Sequence, residues 1–215
     1  MKNALAIARK ELNIYFATPI AYVMLTVFVT FGSYFFLRLL GGYQQVSLQY
    51  MRLNAPEMMN RLNFQDAIFR NLFFNLAFIL MLMVPFLSMR LIAEERSSRT
   101  IELLNTTPVT PAAIVLGKYA AGLFMVVSAL ALTATYPITL QIFAGESGLD
   151  WKSIATCYFG MVCAGAAFMS VGLFVSSLTD SQIVAALLGM LVMLLLWVVG
   201  WAASDLEGVA HDFVA

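Results

Sequence analysis

Five long apolar stretches dominate the sequence and restrict the folds that it can adopt. They occupy residues 20–40, 72–89, 119–143, 154–175 and 183–201. Each has a length within the range of about 17 to 25 residues that a helix needs to cross a bilayer. Because the lipid interior offers the backbone no hydrogen-bond partners, only helices and closed barrels span it, and stretches of this length favour helices. The sequence therefore predicts an all-α polytopic membrane protein with five visible spans.

The composition supports a membrane protein. Hydrophobic residues make up 61% of the chain and charged residues 11%, whereas about 25% of the residues of a soluble domain are charged. Twelve basic residues balance twelve acidic ones, so no long-range field favours nucleic acid as a partner. We expect one transmembrane domain over residues 1–215, surrounded by lipid. Cys157 and Cys163 are predicted to be packing residues, and their spacing on a helix argues against a disulfide between them.

The distribution of Lys and Arg near the span ends predicts the orientation. With the N-terminus inside, the inner set is Lys2, Arg9, Lys10, Arg90, Arg96, Arg99 and Lys118, and the outer set is Arg38, Arg52, Arg61, Arg70 and Lys152. Flanks that stay in the cytosol collect positive charge. Seven residues against five therefore favour a cytoplasmic N-terminus, and five spans then place residues 204–215 outside as a tail.

The first 19 residues carry an amphipathic pattern. Apolar side chains recur at helical spacing at Leu5, Ala8, Leu12, Tyr15 and Phe16, while basic residues fall on other sides. This pattern predicts a helix that lies in the membrane plane before Pro19 turns the chain into the first span. The alternative is a charged anchor that only sets the topology.

The segment 90–118 holds the densest charge in the chain. Its charged residues Glu94, Glu95, Arg96, Arg99 and Glu102 stand beside a small apolar set, Ile101, Leu103 and Leu104. A helix with such a face is suited to dock on another protein. Thr107-Pro108 and Thr110-Pro111 are expected to end this helix, and Thr110 to cap the next one with Pro111 at its first position. The alternative is a solvated loop with ion pairs inside the chain.

Two loops complete the predicted topology. Residues 41–69 are expected to form a polar outer loop, with a short interfacial helix that Pro56 interrupts; its apolar residues are Leu48, Met51, Leu53, Met58 and Met59. Residues 176–182 are expected to form a short polar loop between the fourth and fifth spans. In the fourth span, Gly160, Ala164 and Gly172 are predicted to form a close-packing face, within one chain or between two.

The sequence contains no recognisable catalytic or metal-binding motif. Patterns for nucleotide-binding loops, zinc proteases and serine hydrolases do not occur, and the lone His211 is interpreted as a surface residue. The span interiors hold almost no ionisable residues apart from Arg38. Such residues often mark the path of a charged solute. We therefore expect a lipid-like, hydrophobic or polypeptide cargo, or a machine that transmits force and conducts nothing.

Three blocks of the sequence resemble a known family. They read RKELNIYFATPIAYV from residue 9, EERSSRTIELLNTTPVT from residue 94 with Gly117-Lys118 after it, and GLFVSSLTDSQIVAALLG from residue 172. In this order and at these membrane positions they are similar to the ABC-2 type permeases, specifically the gliding-motility-type branch. The resemblance covers nearly the whole chain.

The resemblance implies a type V exporter-like transmembrane domain in a bacterial inner membrane. Two permease chains, identical or different, would each rest on a cytosolic ATPase that binds ATP and Mg, and the permease itself would have no catalytic role. The implied coupling helix consists of Glu94, Glu95, Arg96, Arg99, Thr100, Ile101, Glu102, Leu103 and Leu104. Residues 1–18 would form the elbow helix, with Arg9, Lys10 and Glu11 as its charged residues. A second cytoplasmic contact would involve Ser177, Thr179 and Asp180.

The chain departs from the family pattern at two points. Relatives commonly have glycine where this chain has Arg99, and they usually have six spans, whereas no sixth apolar stretch appears before Ala215. The resemblance implies export of a cargo, and one alternative function is considered beside it. It is a non-transporting scaffold or mechanotransmission subunit that uses the same coupling helix to relay ATPase motion to an auxiliary extracytoplasmic protein.

Overall fold

The computed structural model describes residues 2–53, 65–97, 110–144 and 149–214, and these ranges are almost entirely helical. The elements are α1 (Lys2–Ala17), α2 (Pro19–Arg52), a π-helical segment (Asp66–Arg70), α3 (Asn71–Ser97), α4 (Pro111–Thr133), α5 (Thr135–Ala144), α6 (Trp151–Ser177) and α7 (Gln182–Val214). The described ranges contain no strand. The predicted all-α class is confirmed.

In the part of the chain that the structure describes, five helical segments are long and apolar enough to cross a bilayer. They are Pro19–Arg52, Ala67–Ser97, Pro111–Phe143, Trp151–Ser177 and Gln182–Gly200. Each contains one of the five apolar stretches or nearly all of it, so the predicted number of spans is confirmed. Most of the helices continue past the apolar stretch at one or both ends, because a helix does not need apolar residues where it leaves the lipid.

The central helix of the bundle is α3, which packs on α6, α7 and α2. In its most apolar window 56% of the residues are buried inside the protein, against 22 to 44% in the other four spans. Leu76, Leu80, Val84 and Leu87 are among its fully buried side chains. A helix that is apolar on every side suits such a position, because each side meets another helix and not water.

Glycines bring α6 close to its neighbours. A Cβ atom at Gly165 would lie 2.5 Å from Val126 Cγ1, and one at Gly172 would lie 2.8 Å from Ser88 Cβ and collide with Ser88 Oγ. The predicted role of Gly172 in close packing is confirmed. Within one chain the prediction is wrong for Gly160, which is exposed and where an added Cβ atom would have no neighbour within 4 Å, because the face of α6 that meets the core passes through Gly165. Packing of Gly160 between two chains stays a prediction.

The span formed by α4 and α5 has a break at Ala134. Pro137 lacks the N–H group that would bond to the carbonyl of Thr133 in a continuous helix. The chain compensates locally, because Ala134 donates to the carbonyl of Ala131 over 3.2 Å. Thr133 Oγ1 also donates to the carbonyl of Leu130 over 2.7 Å.

The prediction of a loop over residues 41–69 is wrong at both ends. Helix α2 continues through Gly41 and Gly42 to Arg52, and the chain is helical again from Gln65. The predicted interfacial residues Leu48 and Met51 belong to this continuation, while Pro56, Met58 and Met59 lie outside the described residues. Gln, Leu, Met and Arg are good helix formers, so a polar helix can follow the apolar part without a break.

One smaller prediction needs correction, and a second, the location of the tail outside the membrane, stays a prediction. Cys157 and Cys163 are free, as expected from their spacing, but both are exposed and so are not core packing residues. The predicted tail 204–215 is helical in backbone as far as Val214. The side chain of His211 lies outside the description of this segment.

Candidate functional site

Most of the buried and paired charges that the structure describes meet at one end of the bundle. Here α1, the end of α3, the start of α4 and the turn between α6 and α7 come together. We call this region the charged junction. Its members are Glu11, Arg90, Glu94, Glu95, Arg96, Lys118 and Asp180.

Lys118 stands at the centre of the charged junction. Its Nζ atom lies 3.0 Å from Glu11 Oε1 on α1 and 2.8 Å from Glu95 Oε1 on α3. The lysine side chain is 2% exposed, and the two carboxylate side chains are 11% and 15% exposed. Burial of an ammonium group is costly unless opposite charges accompany it. One lysine on α4 is therefore paired with carboxylates from two other helices.

The residue before this lysine allows α1 to approach. A Cβ atom at Gly117 would lie 2.7 Å from the carbonyl oxygen of Ala4 and 2.8 Å from Ile7 Cβ. Any larger side chain would push α1 away from α4. Gly117 thus permits the close contact, and Lys118 supplies the ion pairs.

Helix α1 lies against α4 through a face that includes a buried carboxylate. Ala8, Glu11 and Tyr15 are buried, whereas Leu5 is 74% exposed and Phe16 is 39% exposed. The predicted amphipathic helix is present. Ala8 and Tyr15 of its apolar set pack on the protein, while Leu5 and Phe16 are exposed apolar side chains, and its position in the membrane plane stays a prediction. The buried carboxylate at the centre of the packed face, Glu11, was not part of the hydrophobic pattern.

Tyr15 fixes α1 to the middle helix of the bundle. Its hydroxyl group donates to the carbonyl oxygen of Leu87 on α3 over 2.7 Å. Burial, followed by the negative charge of Glu11, raises the pKa of Tyr15 well above its ordinary value. The phenol therefore stays protonated and remains a hydrogen-bond donor at physiological pH.

Arg90 pairs with Glu94 one turn further along α3. Arg90 Nε lies 2.9 Å from Glu94 Oε2, and its Nη2 lies 3.2 Å from Oε1, so the pair is bidentate. Arg90 Nη1 also lies 3.5 Å from Thr18 Oγ1, at the break between α1 and α2. The guanidinium group of Arg90 therefore lies at the point where the chain turns into its first span.

Ser176 at the end of α6 inserts its hydroxyl group into the backbone of α3. The hydroxyl donates to the carbonyl of Met89 over 3.2 Å and accepts from the N–H groups of Ala93 and Ile92 over 3.1 and 3.3 Å. In a regular helix, the N–H of residue 93 would bond to the carbonyl of residue 89. A side chain of α6 thus bridges two turns of α3.

Arg96 joins the end of α3 to the turn after α6. Its Nη1 atom donates to the carbonyl oxygen of Ser177 over 2.6 Å, and its Nε lies 3.3 Å from Asp180 Oδ1. Thr179 contributes inside the turn, where its Oγ1 accepts from the N–H of Ser181 over 3.2 Å. Ser177, Thr179 and Asp180, predicted to form a second contact site, therefore lie next to the segment that begins the predicted coupling helix.

The structure places the other predicted site residues in three groups. Glu94, Glu95 and Arg96 lie in the last turns of α3 and make ion pairs within the chain. Arg9 and Lys10 are exposed on α1, while Glu11 is buried. Arg99, Thr100, Ile101, Glu102, Leu103 and Leu104 lie outside the described residues. The ion pairs agree with the alternative interpretation of this segment, and docking on another protein stays a prediction.

Sequence reasoning missed the pairing of Lys118 and the insertion of Ser176. Lys118 carries a visible signal, since it stands just before a long apolar stretch and a charge there calls for a partner. Ser176 carries no such signal in the sequence, because polar residues are common at the ends of spans and a serine there does not indicate a specific contact. Thr110 occupies the predicted N-cap of α4, with Pro111 first in the helix, but its side chain makes no capping bond.

The bundle and its charged junction define a multi-pass membrane protein. A family model described as ABC-2 family transporter protein matches residues 42–204, about three quarters of the chain. The chain therefore belongs to the ABC-2 transporter family and is a membrane component of an ABC transport system. Membership implies a partner ATPase and typically a second permease chain. No curated protein and no solved structure matches this chain.

Proposed function

We propose that this chain is the permease subunit of an ABC-2 export system of the gliding-motility-type branch. It lies in a bacterial inner membrane with its N-terminus in the cytosol. A separate cytosolic ATPase binds ATP and Mg, and hydrolysis there moves a cargo outward through a pair of permease chains. The coupling contact is the segment Glu94 to Leu104, with Arg9, Lys10 and Glu11 on the elbow helix and Ser177, Thr179 and Asp180 beside it.

The observation that carries the proposal is the set of bonds around the end of α3. Lys118 links Glu95 to α1 and α4, and Ser176 and Arg96 link the same end to α6. The segment that follows Ser97 is the one predicted to contact the ATPase. A force applied there would act on a helix end that is bonded to most of the bundle, which suits rigid-body switching at an interface.

The apolar interior bears on the cargo. A groove of about 300 Å³ runs between α2 and α3 and is lined only by apolar residues. They are Met24, Val27, Phe31, Phe35, Phe78, Ile79, Leu82, Met83 and Phe86. A groove without polar atoms cannot replace the hydration shell of an ion. It supports a lipid-like, hydrophobic or polypeptide cargo over a small charged solute.

A second function is favoured by the length of α2. Its 34 residues extend about 51 Å at about 1.5 Å per residue, against a hydrocarbon core of about 30 Å. The part beyond the apolar stretch exposes Leu48 and Met51, and the residue that follows the helix, Leu53, is exposed as well. This part suits contact with an auxiliary extracytoplasmic protein, so that ATPase motion is relayed and no cargo crosses.

Affinity purification tests the proposal. The tagged chain is purified in mild detergent, its partners are identified, and ATP turnover is assayed. We expect a cytosolic ATPase to co-purify with the wild type and with Lys152→Glu at the opposite end of the bundle, and to be lost with Leu103→Arg. Absence of an ATPase from the wild-type sample would overturn the proposal. Equal recovery with both variants would overturn the coupling assignment.

A further inference from the structure

The Gly117-Lys118 pair has no part in contact with an ATPase, because both residues are buried inside the chain. Helix α1 packs mainly on α4 and on α2, and its contact with α3 is slight. Lys118 nevertheless binds a carboxylate from α1 and a carboxylate from α3 with one ammonium group. It therefore joins two helices that share little packing of their own apart from the contact of Tyr15 with Leu87.

The contact between α1 and α3 depends on the charges at this link. The junction places one ammonium group between two largely buried carboxylates, so each carboxylate is attracted to Lys118 and repelled by the other. Removal of the ammonium group takes away this attraction between α1 and α3 and leaves the repulsion between the two carboxylates. Loss of an apolar contact would weaken the interaction between the two helices but would not leave a repulsion between them.

We propose that Lys118 is the positioning residue that holds α1, the end of α3 and the start of α4 together as one rigid body. Motion of the segment after α3 is then passed to α1 and α4 without a change in their mutual distances. The holding of the three helices stands on the geometry alone. The passage of motion from an ATPase rests on the proposed function.

Distances between spin labels test the rigid body in the full chain. Labels are attached at Lys10→Cys on α1 and Ser97→Cys on α3, both exposed positions, after Cys157 and Cys163 are replaced by Ser. Pulsed EPR in lipid nanodiscs should give one narrow distance distribution. Lys118→Met should broaden or shift it, whereas Lys152→Met should leave it unchanged. A Lys118→Met distribution equal to that of the wild type would overturn the proposal.

A charge exchange keeps the test decisive if Lys118→Met does not fold. Lys118→Glu alone places three carboxylates together, and adding Glu95→Lys restores one ammonium group between two carboxylates. We expect the single variant to lose the narrow distribution and the double variant to regain it. A double variant that behaves like Lys118→Glu would contradict the pairing role of Lys118.

A second arm examines the transmission of motion. The same labels are measured in the complex with the co-purified ATPase, with and without ATP. The Lys10–Ser97 distance should not change with ATP in the wild type and should change in Lys118→Met. A wild-type distance that shifts with ATP would refute the rigid body. Loss of the complex would refute the proposed function and leave the nanodisc result valid.

Discussion

The hydroxyl oxygen of Ser176 lies 3.1 Å from the amide nitrogen of Ala93 and so takes part in the hydrogen bonding of a helix to which it does not belong. The same atom donates to the carbonyl of Met89 and accepts from Ile92. A serine hydroxyl has one donor and two acceptor positions, and all three are used here. The end of α6 and the end of α3 are therefore joined through the backbone.

Ser176→Ala tests this joint. Loss of the hydroxyl should lower the free energy of unfolding by about 1–3 kcal/mol, because buried backbone groups lose a partner. Ser170→Ala is the matched control, since the Ser170 hydroxyl is exposed and donates over 2.9 Å within its own helix. Unfolding in mild detergent, followed by tryptophan fluorescence, compares the two variants. Equal stability would mean that α3 closes its own hydrogen bonds without Ser176.

Gly172→Ala tests the close contact between α6 and α3. The added methyl group would collide with the side chain of Ser88, which is buried and whose Cβ atom would lie only 2.8 Å away. We expect a loss of about 1–3 kcal/mol, the usual cost of overpacking. Gly160→Ala should instead raise stability by up to about 1 kcal/mol, since alanine favours helix and no atom lies within 4 Å. Melting temperatures of both variants in the same detergent give the comparison, and a loss at Gly160 would contradict it.

The ion pairs of the charged junction should differ in strength. Lys118→Met leaves two carboxylates without their shared cation and should cost about 3–5 kcal/mol. Asp180→Asn breaks a pair whose side chains are 40% and 76% exposed, and should cost less than about 1 kcal/mol. Urea titration of each variant at low and high salt measures the difference. Costs of similar size would contradict the burial of Lys118.

Tyr136→Phe tests a polar contact between α5 and α2. The Tyr136 hydroxyl donates to the carbonyl of Val29 over 3.0 Å and lies 3.1 Å from Ser33 Oγ, and its ring stacks on Phe36. Removing the hydroxyl should cost about 1 kcal/mol while the ring contact remains. Tyr34→Phe, at an exposed tyrosine, should be neutral in the same melting experiment. A neutral Tyr136→Phe would contradict the hydrogen bond.

The proposed orientation can be tested with single cysteines. In a background without Cys157 and Cys163, Lys10→Cys should react with a membrane-impermeant thiol reagent only after the cytosolic side is opened. Lys152→Cys should react in intact cells, once the outer membrane is made permeable. Both positions are exposed. The reverse pattern would invert the orientation that the distribution of Lys and Arg predicts.

Hydropathy identified the spans because the requirement of the lipid for apolar residues is strict and local. It did not predict α2 between Gly41 and Arg52, since a polar stretch outside the lipid can be helix or loop with equal hydropathy. The break before Pro19 and the start of α4 at Pro111 were predictable because proline acts on its own neighbours.

The charged junction was only partly predictable. Glu94, Glu95 and Arg96 stood out as a cluster, but their partners are set by how distant helices cross. Glu11 and Lys118 are 107 residues apart, and nothing in either neighbourhood specifies the other. The packing face of α6 was misplaced for a similar reason. Because α6 is apolar on every side, its sequence does not indicate whether the face with Gly165 or the face with Gly160 packs on the core.

The unbroken length of α2 makes it a lever. The helix begins directly after α1 and continues without interruption from Pro19 to Arg52. A tilt of about 10° about its first residue would sweep the far tip of a 34-residue helix through about 9 Å. A small rotation of α2 beside the charged junction would therefore displace its far end, on the opposite side of the membrane, by nearly the width of a helix.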